Sequence, residues 1–153
     1  MGSSYSISCK SCDYTDSFII GIGMMYAPHN LTDFESENPL LPSLIRSKKT
    51  VDFIKELLKD KNAIIADDYG HEIYHCTKCG EFYGRFFIHL DYDSGSFEVE
   101  YKCPKCKVIL EPIDYDTPDD DCDIKRVNLA KYPCPKCGKH ALYEGVEDYV
   151  LWD

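Results

Sequence analysis

Cys103-Pro104-Lys105-Cys106 follows Cys76-Thr77-Lys78-Cys79 and precedes Cys134-Pro135-Lys136-Cys137, and Cys9-Lys10-Ser11-Cys12 stands near the start of the chain. A Cys-x-x-Cys turn sets two sulfurs on one side of a tight loop, where both can reach a tetrahedral Zn²⁺ at about 2.3 Å. One turn is half a site. The four turns therefore predict two Zn²⁺ ions, each held by four thiolates, with Cys9, Cys12, Cys76, Cys79, Cys103, Cys106, Cys134 and Cys137 as the ligands.

Four half-sites allow three pairings. Locality favours Cys76, Cys79, Cys103 and Cys106 on one metal. Cys9, Cys12, Cys134 and Cys137 would then share the other and clasp the two ends of the chain. The alternative joins the first pair to the second and the third to the fourth, because a hairpin also fits between Cys106 and Cys134. The eight ligands are the same in each.

The segments around the turns read mainly as strands. Tyr5 to Ser8 alternates apolar and polar residues, and Phe18 to Tyr26 is a nearly continuous apolar run of the kind found in a buried strand. Phe82 to Leu90 reads as one strand, Asp93 to Ser96 as a turn, and Phe97, Val99 and Tyr101 as alternate positions of a returning strand. Strand, turn and strand between two Cys-x-x-Cys turns is the zinc-ribbon pattern. Val108 to Ile113 and Ile124 to Leu129 give further strands, and a last hairpin turns at Gly145.

One helix stands out, running from Ser43 to about Lys61 with a break near Ser47. Val51, Ile54, Leu57 and Leu58 form its apolar stripe. Ala27 to Pro42, rich in proline, asparagine and acids, reads as a loop. The fold class expected is a β-rich α+β protein of tandem or intertwined zinc ribbons, built of antiparallel hairpins with one amphipathic helix. It divides into a first knuckle hairpin over 1–26, the helix over 43–61, a central zinc ribbon over 72–110 and a C-terminal knuckle hairpin over 124–153. The whole of 1–153 is expected to form a single zinc-stabilised unit.

Charge restricts the partner. The 153 residues carry 17 basic and 27 acidic side chains, a net charge of -10. That is the wrong sign for holding nucleic acid by phosphate neutralisation. A nucleic-acid-binding zinc ribbon is the alternative this disfavours, and the long-range field favours basic partners. No apolar run approaches the 18 or so residues of a membrane span. No basic region followed by an apolar stretch marks the amino terminus as a secretory signal. Cysteines in such a chain are expected to stay reduced, so the paired spacings read as metal ligands rather than bridges.

Other constellations are weaker. His71-Glu72-Ile73-Tyr74-His75 fits the metalloprotease pattern His-Glu-x-x-His by letters. It lies, however, in a strand-like approach to Cys76. Residues four apart on a strand stand about 13 Å apart, too far for one metal. Asp119, Asp121 and Asp123 fall at the first, third and fifth positions of a calcium loop, but Ile124 and Ala130 replace the required Gly and Glu. The run from Asp114 to Asp123 therefore reads as a solvated acidic loop. Cys122, the ninth cysteine, sits among Asp120, Asp121 and Asp123, which disfavour its thiolate.

The stretches Tyr5-Ser6-Ile7-Ser8-Cys9-Lys10-Ser11-Cys12, Gly21-Ile22-Gly23-Met24-Met25-Tyr26, Tyr74-His75-Cys76-Thr77-Lys78-Cys79-Gly80 and Cys134-Pro135-Lys136-Cys137-Gly138, with the closing Trp152-Asp153, give most of the chain a family look. In these it resembles the small bacterial zinc-ribbon proteins of the Firmicutes. The resemblance implies zinc binding and a cytoplasmic location, and it brings no reaction with it. Asp13 and Lys107 stand where such knuckles usually carry Gly. Closed Cys₄ sites scaffold rather than catalyse. The functional expectation is therefore a zinc-binding structural protein without enzymatic activity, a protein–protein adaptor or regulator.

Overall fold

The computed structural model describes residues 2–116 and 126–145. Most of the acidic run, Cys122 and the segment beyond Gly145 lie outside the described residues.

Strands β1 (Gly2–Cys9) and β2 (Thr15–Gly21) form an antiparallel hairpin whose turn carries Cys9 and Cys12. Tyr5, Ile7 and Cys9 alternate into the core. Ser6 is also buried, its hydroxyl bonded to that of Ser17 at 3.0 Å. The expected buried strand over Phe18 to Tyr26 is shorter and less buried than its composition suggests. β2 ends at Gly21, whose φ of 80° breaks the extended backbone, and Met24–Tyr26 turns as a single 3-10 helix. Phe18 is buried, whereas Ile19, Met24 and Met25 are exposed.

The stretch read as a loop before Pro42 contains helix α1 (Pro28–Leu31) and the start of α2 (Leu40–Ile45). Pro28 opens α1 and Pro42 lies in the first turn of α2, positions where the missing amide donor has no intrahelical role. The break expected near Ser47 is present. Arg46 takes a left-handed conformation (φ 61°), and the Ser47 side chain then accepts from the Thr50 amide at 3.3 Å to cap α3 (Lys48–Asp60). Val51, Ile54 and Leu57 are buried along one face of α3. The helix expected over 43–61 is thus two segments, the end of α2 and all of α3, divided at left-handed Arg46, and α1 is an additional short helix within the stretch read as a loop.

After β3 (Ile64–Ile65) the chain enters β4 (Gly70–His75), crosses the second knuckle and returns as β5 (Phe82–Phe87). The one strand expected over Phe82 to Leu90 is two. At Ile88, which is fully buried, the chain passes from one sheet to another and continues as β6 (His89–Tyr92), paired with β3 on one side and with β7 (Gly95–Glu98) on the other. Asp93 and Ser94 turn this hairpin. The third knuckle follows, closed by a bridge between Lys102 and Ile109.

β8 (Glu111–Pro112) pairs with Tyr74 and His75 of β4, and β9 (Tyr115–Asp116) pairs with β10 (Arg126–Val127). A 3-10 turn over Leu129–Lys131 leads to the fourth knuckle. β11 (Leu142–Glu144) then lies antiparallel to β1.

The main sheet has the order β11-β1-β2-β4-β5, with β8 also on β4. β5 takes one edge of β4 along its length. β2 meets the other edge at His71 and β8 at Tyr74 and His75. The fold is strand-rich and antiparallel, of the β-rich α+β class.

The apolar interior has three parts. Tyr5, Ile7, Ile73, Phe82, Leu129 and Leu142 pack around Cys9 and Cys134. Tyr74 and Leu110 pack around Cys76 and Cys103. The third joins Val51, Ile54 and Leu57 of α3 to Phe86, Ile88 and Leu90, and it contains no cysteine. Removing the fully buried Ile54 side chain should therefore destabilise the protein by about 2–5 kcal/mol. Metal content of the folded Ile54→Ala variant should be unchanged. Urea unfolding and metal analysis on the same sample check both, and metal loss from the folded variant would refute the separation of the two parts.

His89 joins the β3–β6 sheet to the loop before β4. Its Nδ1 lies 3.1 Å from an Asp68 oxygen and its Nε2 3.3 Å from Asp91. The Asp68 hydrogen bond foremost, opposed by desolvation and aided by the charges of Asp68, Asp91 and Glu98, raises its pKa above the ordinary histidine value. A raised folded pKa stabilises the fold fully below the unfolded value of about 6.5, and that stabilisation is lost as pH rises through the folded value. His89→Gln should therefore narrow its stability deficit as pH rises from about 5.5 to about 8.5. A deficit independent of pH in urea titrations would show that the ion pairs contribute nothing.

Candidate metal centres

The eight paired cysteines gather into two groups of four. Cys9, Cys12, Cys134 and Cys137 form one, and Cys76, Cys79, Cys103 and Cys106 the other, with all four ligand atoms of each group within 4.8 Å of one another. This is the pairing that joins the second turn to the third and the first to the fourth. Sulfur separations are 3.7 Å for Cys9–Cys137, 3.6 Å for Cys12–Cys134 and 3.7 Å for Cys79–Cys103. The edge of a tetrahedron with metal–sulfur bonds of about 2.3 Å is about 3.8 Å, whereas a disulfide spans about 2.05 Å. The eight cysteines are free thiols spaced for a metal ion.

Local backbone hydrogen bonding builds each half-site. The amide of the first cysteine bonds the carbonyl five residues on in all four turns: Cys9 to Tyr14, Cys76 to Glu81, Cys103 to Val108 and Cys134 to Lys139, at 2.8–3.0 Å. In three of them the amide four residues after the first cysteine returns to that cysteine's carbonyl, from Gly80, Lys107 and Gly138. Those three residues take φ of 76°, 63° and 72°, the left-handed region that glycine enters without penalty. Asp13, the equivalent residue of the first turn, is not left-handed. The two positions lacking glycine thus differ: one turn avoids the conformation, and the other adopts it with a lysine.

The groups share a plan. Each takes one turn from the tip of a hairpin of the main sheet, β1–β2 or β4–β5, and one Cys-Pro-Lys-Cys turn from a later segment. The lysine of each Cys-Pro-Lys-Cys turn reaches a carboxylate just beyond the partner turn, Lys136 to Asp13 and Lys105 to Glu81, both at 2.6 Å. These exposed pairs contribute little to stability, but they place cations beside the sulfurs. Sequence reading did not find them, because the two members lie in different turns.

Thiol acidity follows the same geometry. Burial works to raise the Cys103 pKa, but the Cys106 amide, the Tyr83 hydroxyl and neighbouring donors pull it down to about 6. The amide and the hydroxyl lie 3.3 and 3.5 Å from the sulfur. Cys9 is brought to about 7, burial again opposing the Ser11 amide and the other thiols. Cys106 is raised to about 12 by burial and by its thiol neighbours. A low-pKa thiolate crowded by other thiols is what a divalent cation stabilises.

His71 and His75 do not join a metal group. Both lie on β4, as the strand reading requires. The His71 ring packs edge-on to Tyr26 and Phe86, and the His75 ring against Phe82 and Tyr132. They are ring-packing residues of two different clusters. Cys122 and the calcium-loop positions Asp119, Asp121 and Asp123 fall outside the described residues.

Comparison with family models, with curated proteins and with solved structures finds no match.

A left-handed lysine costs roughly 1–2 kcal/mol, part of which glycine returns through its looser unfolded chain. Lys107→Gly should stabilise the metal-loaded protein by about 0.5–1 kcal/mol. Gly138→Ala, where an added Cβ meets nothing within 4 Å, should destabilise by about 1 kcal/mol through backbone strain alone. Urea midpoints read both, and a lower midpoint for Lys107→Gly would contradict the strain argument.

Proposed function

We propose that both Cys₄ groups are closed structural zinc centres and that the protein is a zinc-stabilised adaptor or regulator acting through protein contacts. One observation carries this reading. Every position of each tetrahedral set is a thiol, and the first cysteine of each turn is buried, from 0 % exposure at Cys76 and Cys103 to 6 % at Cys9. A catalytic zinc keeps one position open for water beside three protein ligands, whereas four cysteines close the shell.

Tetrahedral four-sulfur coordination suits zinc or iron, and zinc fits a scaffold because it has no redox chemistry of its own. A structural metal of this kind adds its binding energy to folding. The clusters around Cys9 and Cys134 and around Cys76 and Cys103 supply the packing that depends on it. No helix among the described residues is long and apolar enough to cross a membrane.

Native mass spectrometry of the folded protein should find two zinc ions. Cys103→Ser should lose one and Cys134→Ser the other, while Cys9→Ser and Cys137→Ser lose the same ion. Iron in place of zinc, or both ions retained in all of these variants, would sink the assignment.

A further inference from the structure

A cavity of about 750 Å³ opens beside the second Cys₄ group, on the face of β4 that carries Glu72 and Tyr74. Ile73, between them, points the other way into the first core. Its aromatic walls are Tyr74, Phe87, Tyr101 and Tyr115. Four carboxylates line it, those of Asp68, Glu72, Glu98 and Glu100, and no lysine or arginine does.

We propose that this cavity is where the protein docks its partner, and that it receives the alkylammonium group of a lysine on an extended basic segment of that partner. The inference rests on the adaptor reading and names the chemistry of the partner. Aromatic faces carry negative potential that attracts ammonium groups, and carboxylates around them add net charge. The same ring system already holds one cation, since the Arg85 guanidinium lies 5.2 Å from the Tyr83 ring centre and 5.9 Å from that of Tyr101.

A second observation is independent of the charges. Tyr74 is only 4 % exposed and lines the cavity, so that its ring is a buried wall whose polar end is the hydroxyl. Its ring is held edge-on to Tyr101 at 5.6 Å. A docked ammonium would donate a hydrogen bond to that hydroxyl while lying against the rings. Tyr101 differs, because its hydroxyl donates to the Phe86 carbonyl at 2.6 Å and is fixed as a wall.

The carboxylates surround the space without converging. Among the described residues, only the two cysteine groups bring three or more ligand atoms within 4.8 Å. A bare metal ion needs that convergence. An ammonium on an aliphatic stem, which spreads its contacts over rings and several acids, does not. Ile109, 51 % exposed on the cavity lining, offers an apolar surface for such a stem. The net charge of -10 steers a basic segment towards the molecule.

The test uses the full-length, zinc-loaded protein and a fluorescein-labelled peptide of alternating alanine and lysine, followed by anisotropy. Metal content and circular dichroism are measured on every sample. The peptide should bind, and the same peptide with acetylated lysines should not. Glu98→Gln combined with Glu100→Gln, both exposed and harmless to the fold, should weaken binding at least about fivefold. Asp52→Asn with Glu56→Gln on α3 removes the same charge away from the cavity and should leave binding unchanged. Tyr74→Phe, which keeps the ring, should weaken it about threefold. Spermidine should compete more weakly than unlabelled peptide. Absent binding, tight binding of the acetylated peptide, equal loss in the α3 variant, or spermidine binding tighter than the peptide would each overturn the proposal. Failure with two zinc ions in place rejects the docking site alone, while a protein without zinc rejects the scaffold reading whatever the peptide does.

Discussion

Four sulfurs must meet within bonding reach of one ion, twice, and the chain is arranged to allow it. In the first group the meeting spans nearly the whole sequence: Cys9 lies beside Cys137, and Cys12 beside Cys134. Closing so long a loop is entropically demanding, and a metal clip gives its largest stabilisation there. The β11 strand on β1, and the bond from the Lys10 amide to the Ala141 carbonyl, follow from that closure. The second group closes a shorter loop and fixes the β4–β5 hairpin to the third knuckle. Because β4 also takes β2 and β8 on its other edge, the two groups brace one sheet.

The α3 side of the molecule works differently. Its interior is held by aliphatic and aromatic packing with no thiol in it, Ile54 and Leu41 against Phe86, Ile88 and Leu90. Phe86 belongs to β5 and Ile88 to the step from β5 to β6, so the knuckle-bearing β4–β5 hairpin and the helix meet at these residues. Burial of each such side chain is worth about 1.5–3 kcal/mol. The interior thus has a cysteine-free core on one side and cores built around the Cys₄ groups on the other.

The sheet's two faces have different chemistry. His71, Ile73 and His75 look towards packed rings and the first core. Glu72 and Tyr74 look towards the acidic cavity, next to the aromatic residues that also line the second Cys₄ group. Tyr83 stands at that junction, directly across from Tyr74 in the β4–β5 pairing, with its hydroxyl on the Cys103 sulfur and its ring under Arg85. The second Cys₄ group therefore adjoins the wall on which a cationic partner would rest.

Local spacing made much of this legible in the sequence. Two residues between cysteines define a knuckle whatever surrounds it, so the eight thiols were identifiable before any fold was known. The stripe of Val51, Ile54 and Leu57 and the alternation of Tyr5, Ile7 and Cys9 were equally local. Proximity between distant segments was not. Spacing alone left three pairings of the knuckles open: locality favoured the one observed, the eight ligands were the same in each, and the meeting of distant segments decided it. Composition also misread Phe18 to Tyr26, where the left-handed Gly21 ends the strand and leaves Met24 and Met25 in solvent. The strand from Phe82 divides at Ile88 because the helix core and the main sheet both claim that stretch. Most of all, the cavity around Tyr74 unites residues from Asp68 to Tyr115 that no motif connects. Side-chain periodicity and turn chemistry act over a few residues and can be read in order; pockets, ion pairs between knuckles and the choice of metal partners arise only when the chain returns upon itself.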